Sequence, residues 1–512
     1  MKQFSSFCST GLLALLLLAL RLPAAAQAPA WQSARAVAVA TAAATNNDSE
    51  VTATAVDAAG NVYLAGYFKN TVVLGGTTLT SLGIFGSADI FIAKFNPISN
   101  QFVWVRQAGG TEFDQVYALV VSGTSVYIAG FFQSSTASFG SVTLTNVRSS
   151  YSDVFVAKLT DAGSFVWAQR AGGMGDDEAF VLAVNGTSVY VAGRFDSPTA
   201  NFGPATLTNA GTAATKDVFV AKLTAVGSMG SFAWAQRTGG TGDDAAYALA
   251  VSGTSVYVAG SFTSPTIGFG AVTLTNAGAT TGTDDVFVAK FNDSGNFAWA
   301  QQGGGMGGEG VATIAVSGAN VYVAGNFGGP TTVFGTTTLA NSGLGTTEVF
   351  VAKLVDVGNT GNFTWAQQAG GPDFDYVYAL AVSGANVYVV GFIGNPTAVF
   401  GTTTLSNPGP GRLYSIHLGF LASLTDPTLT PTTPSRALPP AQLYPNPARY
   451  AATLRLPAGT APAPLTLTDA LGRTVRRYPA PAGAEVTLDL RGLPAGLYLL
   501  RGAGPAQRLQ VE

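Results

Sequence analysis

Across residues 31–424 the apolar positions fall into short runs of five to eight residues. Some runs alternate with polar residues at a period of two, and others are apolar on both faces. Four kinds of run recur in a fixed order. An alternating run such as VYALVV or AYALAV comes first. The block VYxAG, VYVVG in the last repeat, follows, with its tyrosine at Tyr63, Tyr127, Tyr190, Tyr257, Tyr322 and Tyr388, at spacings of 64, 63, 67, 65 and 66 residues. DVFVAK and its variants then supply Lys94, Lys158, Lys222, Lys290 and Lys353. FxWAQ and its variants supply Trp104, Trp167, Trp234, Trp299 and Trp365. Turn signals such as SGTS, SGAN and DAGS separate the runs, and helical periodicity is absent. The pattern predicts six repeats of four strands each.

The run Val256 to Phe262 is apolar on both faces, which calls for a sheet covered on both sides. Ala259 and Gly260 sit mid-strand, where a neighbouring sheet would come close. Four-stranded sheets repeated in this way predict an all-β chain built as a six-bladed β-propeller. An open stack of β units is the alternative. The repeat exceeds the ~40–50 residues of common propeller units. The excess is the stretch FGxxTLTN, for example Phe269 to Asn276, expected as an extra hairpin between second and third strands. The last repeat ends on SIHLGFLASL, Ser415 to Leu424, with no Trp run after it. Trp31 to Ala40 precedes the first full repeat and is expected to supply that missing fourth strand. Closure of this kind hides two sheet edges that would otherwise invite association.

The N-terminus carries Lys2, an apolar stretch from Leu12 to Leu20 and the small residues Ala24, Ala25 and Ala26. This is the layout of a secretory signal peptide, residues 1–26, and its apolar part is shorter than the ~20 residues that span a bilayer. Cys8 is the one cysteine and lies within it, so no disulfide framework is expected. No later run suggests a transmembrane helix, and the chain is not expected to be an integral membrane protein.

Charged residues are only 10% of the 512, with a net charge of -3, which excludes a basic nucleic-acid binder. The charge is uneven. Without residues 1–26 the net is -5, while the part from Arg436 onward carries +5. The asymmetry marks a second module at 443–512, joined through a Pro- and Thr-rich linker at 425–442. Its alternating stretches TLRLP and VTLDL predict a small C-terminal β-sandwich.

The strongest candidate chemistry is a recurring acid. GGxxxD or a close relative follows each Trp run and ends at Asp114, Asp177, Asp244, Glu309 and Asp375, with Asp48 or Glu50 expected in the first repeat. Asp176 and Asp243 stand beside them, as do Glu112 and Asp373. A second acidic position opens the third strand at Asp89, Asp153, Asp217, Asp285 and Glu348. In a propeller these acids would gather around one mouth of the channel. Converging carboxylates suit Ca²⁺ or sugar hydroxyls, or paired acid and base work on a glycoside. The plainer alternative is an Asp that accepts backbone N–H bonds in a turn and is copied by repetition. No other cofactor is expected. The lone His417 is expected to be packed, the tryptophans to pack between sheets, and the lysines to form strand-end ion pairs. Gly303-x-Gly305-x-x-Gly308 matches a dinucleotide fingerprint as text but precedes a strand, not a helix.

The segments DAAGNVYLAG, Asp57 to Gly66, and Phe155 to Val184 resemble the bacterial SBBP β-propeller repeat, a resemblance that covers roughly 31–424. It implies a fold and no catalytic residues. The tail resembles the type A C-terminal sorting domain of the type IX secretion system. The motifs that carry this are LYPNP with Tyr444, Pro445, Asn446 and Pro447, TDALGRTV with Gly472, and GLPAGLYLLR with Gly496, Leu497 and Tyr498. That resemblance implies export, recognition by the type IX machinery, and a secreted or cell-surface destination. The expectation is therefore a non-enzymatic extracellular binding or adhesion module whose partner is a glycan or surface polymer. An extracellular carbohydrate-active hydrolase or lyase and a structural coat component are the alternatives.

Overall fold

The computed structural model describes residues 36–37, 39–40, 48–83, 87–211, 215–343, 345–394, 397–407, 417–429, 442–456, 464–469, 473–481, 483, 485–502 and 507–512. The expected signal peptide and Trp31 lie outside these residues, as does Gly472. Every regular element among the described residues is a β-strand. The chain divides into two compact bodies. One is Met1–Val311 with Thr332–Gly335 and Asp356–Asn362; the other is Ala312–Thr331, Thr336–Val355 and Phe363–Glu512.

Repeat 2 shows the unit. Its strands Asp114–Ser122, Ser125–Phe132, Asp153–Thr160 and Phe165–Gly173 pair antiparallel in chain order. Repeats 1, 3, 4 and 5 repeat that order. Repeat 6 has three such strands, Tyr376–Ser383, Asn386–Ile393 and Leu418–Thr425, and no fourth among the described residues. In repeats 1 to 5 the second and third strands are the most buried, as their apolar pattern demands; seven of the eight positions of Ser255–Phe262 and of Asp285–Asn292 are buried.

The expected extra hairpin is present, for example Thr136–Phe139 with Val142–Thr145. It also ties neighbouring repeats together. The hairpin of repeat 3 pairs with the fourth strand of repeat 2 through Gly172↔Asn201 and Gly173↔Ala200. In repeat 1 the short strand Val39–Ala40 takes that place, with Val39↔Val73. The N-terminal segment therefore stands where a fourth strand stands elsewhere.

The apolar core lies between successive sheets. One cluster joins repeats 1 and 2 through Tyr63, Ile92, Ile128 and Phe155. Others join repeats 2 and 3, 3 and 4, and 5 and 6. Trp104, Trp167, Trp234 and Trp299 each pack against a glycine of the next repeat. A Cβ on Gly163 would come within 2.6 Å of the Trp104 ring, and one on Gly230 within 2.6 Å of Trp167. This is why the DAGS-type turn needs its glycine.

In the tail, Gln442–Tyr444, Ala451–Arg455 and Glu485–Asp489 form one sheet, and four strands from Leu465 to Val511 form a second. A single core of Leu454, Leu467, Leu488, Tyr498, Leu500 and Leu509 lies within this module. Asp426 and Leu429, at the start of the expected linker, are buried, and Leu429 belongs to the core of repeats 5 and 6.

Candidate functional site

Two recurring constellations occupy opposite ends of the repeat strands. At one end stands the recurring acid. Asp114 opens its first strand opposite Phe132. The amide of Gly110 donates to Asp114 Oδ2 at 2.6 Å, and Ser134 Oγ donates to the same carboxylate at 2.9 Å. Asp177 is held by Gly173 N–H and Ser197 Oγ, both at 2.7 Å, and Asp244 by Gly240 N–H at 2.8 Å and Ser264 Oγ at 2.7 Å. Gly371 and Gly394 donate to Asp375, and Gly305 to Glu309. All five carboxylates are at most 1% exposed. They fill their turns and do not open onto solvent. In repeat 1 the register puts Ser49, not Asp48 or Glu50, at this position, because Ser49 faces Phe68 as Asp114 faces Phe132. Asp48 instead pairs with Lys69, and Glu50 accepts from the Tyr67 hydroxyl.

The second acids lie beside the first, as connectivity requires. The point that a Cβ on Gly172 would occupy is 2.3 Å from Asp153 Oδ1 and 2.7 Å from Asp177 Oδ2. Gly172 has φ 141°, so both backbone and space exclude a side chain there. Arg170 neutralises Asp153 at 2.9 Å and Arg237 neutralises Asp217 at 2.8 Å. Burial pushes Asp114 up to about 6, Asp244 to about 7, Asp177 to about 8, Glu309 to about 9 and Asp375 to about 6. Asp176 and Asp243 lie nearer the surface and cap the loop before the third strand of the preceding repeat, accepting from the amides of Ser152 and Lys216. Among the described residues no group of three or more His, Cys, Asp or Glu side chains is placed to hold a metal ion.

At the opposite end a tyrosine, a lysine and an aspartate meet. Lys94 Nζ lies 2.6 Å from Asp161 Oδ1 of the next repeat, and the Tyr63 hydroxyl donates to the same oxygen. Trp104 Nε1 donates to the Asp161 carbonyl at 2.9 Å. Lys222, Tyr190 and Trp234 hold Asp293 in the same way. Lys290, Tyr257 and Trp299 hold Asp356, and Lys353 and Tyr322 hold Asp426. Lys94, Lys222, Lys290 and Lys353 have the strand-end ion pairs expected of them, but each acid comes from the following repeat. A signal was present: an Asp stands three residues after Lys158, Lys290 and Lys353.

A third feature was not foreseen. Each first strand whose pairing is described carries a bulge, for example between Val116 and Ala118. A bulge redirects the extra side chain. In repeats 2, 3 and 4 that residue is Tyr117, Phe180 and Tyr247. Tyr117 and Phe180 meet edge-on at 5.3 Å, and Phe180 and Tyr247 stack at 5.6 Å and 16°. The row continues through Phe131 and Phe113 to Tyr67. Arg194 lies 5.2 Å over Phe180 and is fixed by Glu178 at 2.7 Å. His417 stacks on Phe392 at 3.9 Å.

In the tail, Asn446 bridges the LYPNP loop to the last strand, donating to the Arg508 carbonyl at 2.7 Å and accepting from the Gln510 amide at 2.9 Å. Tyr498 is buried and donates to the Pro494 carbonyl at 2.7 Å, while Tyr444 and Leu497 are exposed. Gly496 opens the strand that carries Leu497 and Tyr498.

Residues 442–508 match the family described as the secretion system C-terminal sorting domain. The tail is thus a type IX sorting domain, and the protein is secreted to the cell surface by that system. The chain is also 30% identical, over 152 residues, to the regulatory protein FlaEY of Caulobacter vibrioides. That match covers 29% of this chain and 16% of the relative's length. No helix among the described residues is long and apolar enough to cross a membrane.

Proposed function

We propose that the six repeats form a β-propeller that works outside the cell as a binding module for a glycan or other surface polymer. The observation that carries the binding role is the aromatic row Tyr117, Phe180 and Tyr247, set on bulges of consecutive repeats. Rings of this kind offer large, rigid contact area with a polar tip, which suits binding of a ligand that is apolar on one face and hydroxylated on the rim. Tyr247 is 37% exposed, so its ring is open to a ligand. The buried acids support binding over hydrolysis. Glycoside cleavage uses two carboxylates that flank a substrate ~5–9.5 Å apart, whereas these are enclosed by glycine amides and serine hydroxyls. Closure of the ring by the N-terminal strand is supported by the place of Val39–Ala40 and by Leu418–Thr425, which has no strand on its outer side among the described residues.

Adsorption of the purified chain to insoluble polysaccharides tests the binding role. Tyr117→Ala and Tyr247→Ala should each reduce adsorption at least tenfold while leaving the melting temperature within a few degrees. Adsorption equal to that of the unmodified chain would contradict it.

A further inference from the structure

We propose a binding site for a sugar acid at the junction of repeats 2 and 3, where one carboxylate is missing from an otherwise repeated clasp. The site is distinct from the aromatic row and does not depend on it.

Tyr127, Lys158 and Trp167 repeat the constellation described above. The Tyr127 and Trp167 rings are 6.2 Å apart, against 6.0 Å for Tyr63 and Trp104 and 6.1 Å for Tyr257 and Trp299. Lys158 Nζ lies 5.6 Å over the Tyr127 ring, as Lys222 lies 5.7 Å over Tyr190. The residue that should complete the group is Ala225. Its amide donates to the Thr187 carbonyl at 2.8 Å, just as the Asp161 amide donates to Thr124 at 2.9 Å and the Asp426 amide to Ala385 at 2.8 Å. The backbone is in place and the carboxylate is absent.

Two donors, Lys158 and the Tyr127 hydroxyl, lose that acceptor as a result, and the Trp167 indole beside them is unpartnered as well. Trp167 Nε1 is buried with no hydrogen-bond partner, whereas Trp104, Trp234 and Trp299 all have one. Among the described residues Lys158 has no ion pair, and neither it nor the Tyr127 hydroxyl has a hydrogen bond. A donor left unmatched is costly, so an acceptor arriving beside Lys158 would be favoured.

An open cavity of about 530 Å³ lies at this point, lined by Lys158 together with Ser125, Thr160, Asp161, Gly227 and Ser228. That volume falls within the range of small-molecule sites, ~300–1,000 Å³. The ligand class follows from the lining. Lysine and tyrosine close on a carboxylate at the other junctions, so a carboxylate is the group they are spaced to take. Asp161 also faces the cavity, though Lys94 and Tyr63 engage its Oδ1; its charge disfavours a dianion such as phosphate. The hydroxyls of Ser125, Thr160 and Ser228 suit a polyhydroxylated body behind the carboxylate.

The test is calorimetric titration of the purified chain with galacturonate, galactose and acetate, alongside the variants Ala225→Asp and Lys158→Met. Galacturonate should bind, galactose should not, and acetate should bind at least tenfold more weakly than galacturonate. Ala225→Asp should supply the absent carboxylate internally. It should raise the melting temperature without ligand and weaken galacturonate binding at least tenfold, as should Lys158→Met. Galacturonate binding that is undetectable, or unchanged in Ala225→Asp, would overturn the proposal. Acetate binding as tight as galacturonate would overturn the sugar-acid assignment.

Discussion

Lys353 and Asp426 form an ion pair at 2.7 Å with side chains only 2% and 0% exposed, and the Tyr322 hydroxyl donates to the same carboxylate at 2.6 Å. Burial opposes the charge on Asp426, yet Lys353 and Tyr322 hold its carboxyl well below the ordinary range. Removing one member of such a pair leaves a buried charge unmatched. Lys353→Met should therefore destabilise the fold by about 3–5 kcal/mol. Lys69→Met, which breaks a pair half open to water, should cost less than about 1 kcal/mol. Urea denaturation of the two variants separates these outcomes.

The two sets of acids give stability a pH dependence with a definite sign. Asp114, Asp177, Asp244 and Glu309 are raised by burial, so between pH 4 and 9 the folded chain holds protons that the unfolded chain has lost. Stability from these groups is present below the unfolded value near 4 and is lost as pH rises through their folded values. Asp161 is lowered by Lys94 and Tyr63, and Asp293 by Lys222 and Tyr190, so their contribution is lost as pH falls below about 4. The melting temperature should be higher at pH 5 than at pH 8. Asp177→Asn should flatten this slope; a wild-type melting point that climbs from pH 5 to pH 8 would contradict it.

Gly172 meets two carboxylates and adopts a left-handed backbone, whereas Gly186, at φ 60°, has open space around it. Gly186→Ala should cost about 1 kcal/mol, the ordinary penalty of that backbone region. Gly172→Ala should cost clearly more, because Asp153 and Asp177 must also move. Equal midpoints in thermal denaturation would mean that the carboxylates adapt freely.

Deletion of 442–512 removes the sorting domain and leaves the repeats, whose apolar clusters lie between their own sheets. The truncated chain should fold and remain in the periplasm, as read by cell fractionation and surface proteolysis. Surface delivery at the normal level would refute the sorting role of the tail.

Much of this was legible in the sequence because repetition converts weak local signals into strong ones. The six VYxAG runs and the FGxxTLTN stretch gave the strands and the hairpin, since each pattern reports burial at its own position. Partners were harder to read. Asp161 belongs to Lys94 of the preceding repeat and not to its neighbour Lys158, and that depends on how sheets stack. The burial of Asp177 was also hidden, because a turn-filling acid and a ligand-facing acid share the text GGxxxD. Ser49 was hidden because it carries no carboxylate, although it stands two residues before VTATAV as Asp114 stands two before VYALVV. Tyr117 looked like any alternating strand residue until a bulge turned it out.

Closure of the ring is the claim on which the propeller reading rests, and one cross-link addresses it. In repeat 2 the partner of Val156 is Gln169, three residues before Gly172, and Val39 stands in the place of Gly172. The same register would set Ala36 against Leu421, a leucine now 70% exposed on the edge strand. Cysteines introduced by Ala36→Cys and Leu421→Cys should join under mild oxidation, and mass spectrometry of the unreduced digest should show the two peptides linked within one chain. Two free thiols after oxidation, in a chain that remains folded, would contradict closure.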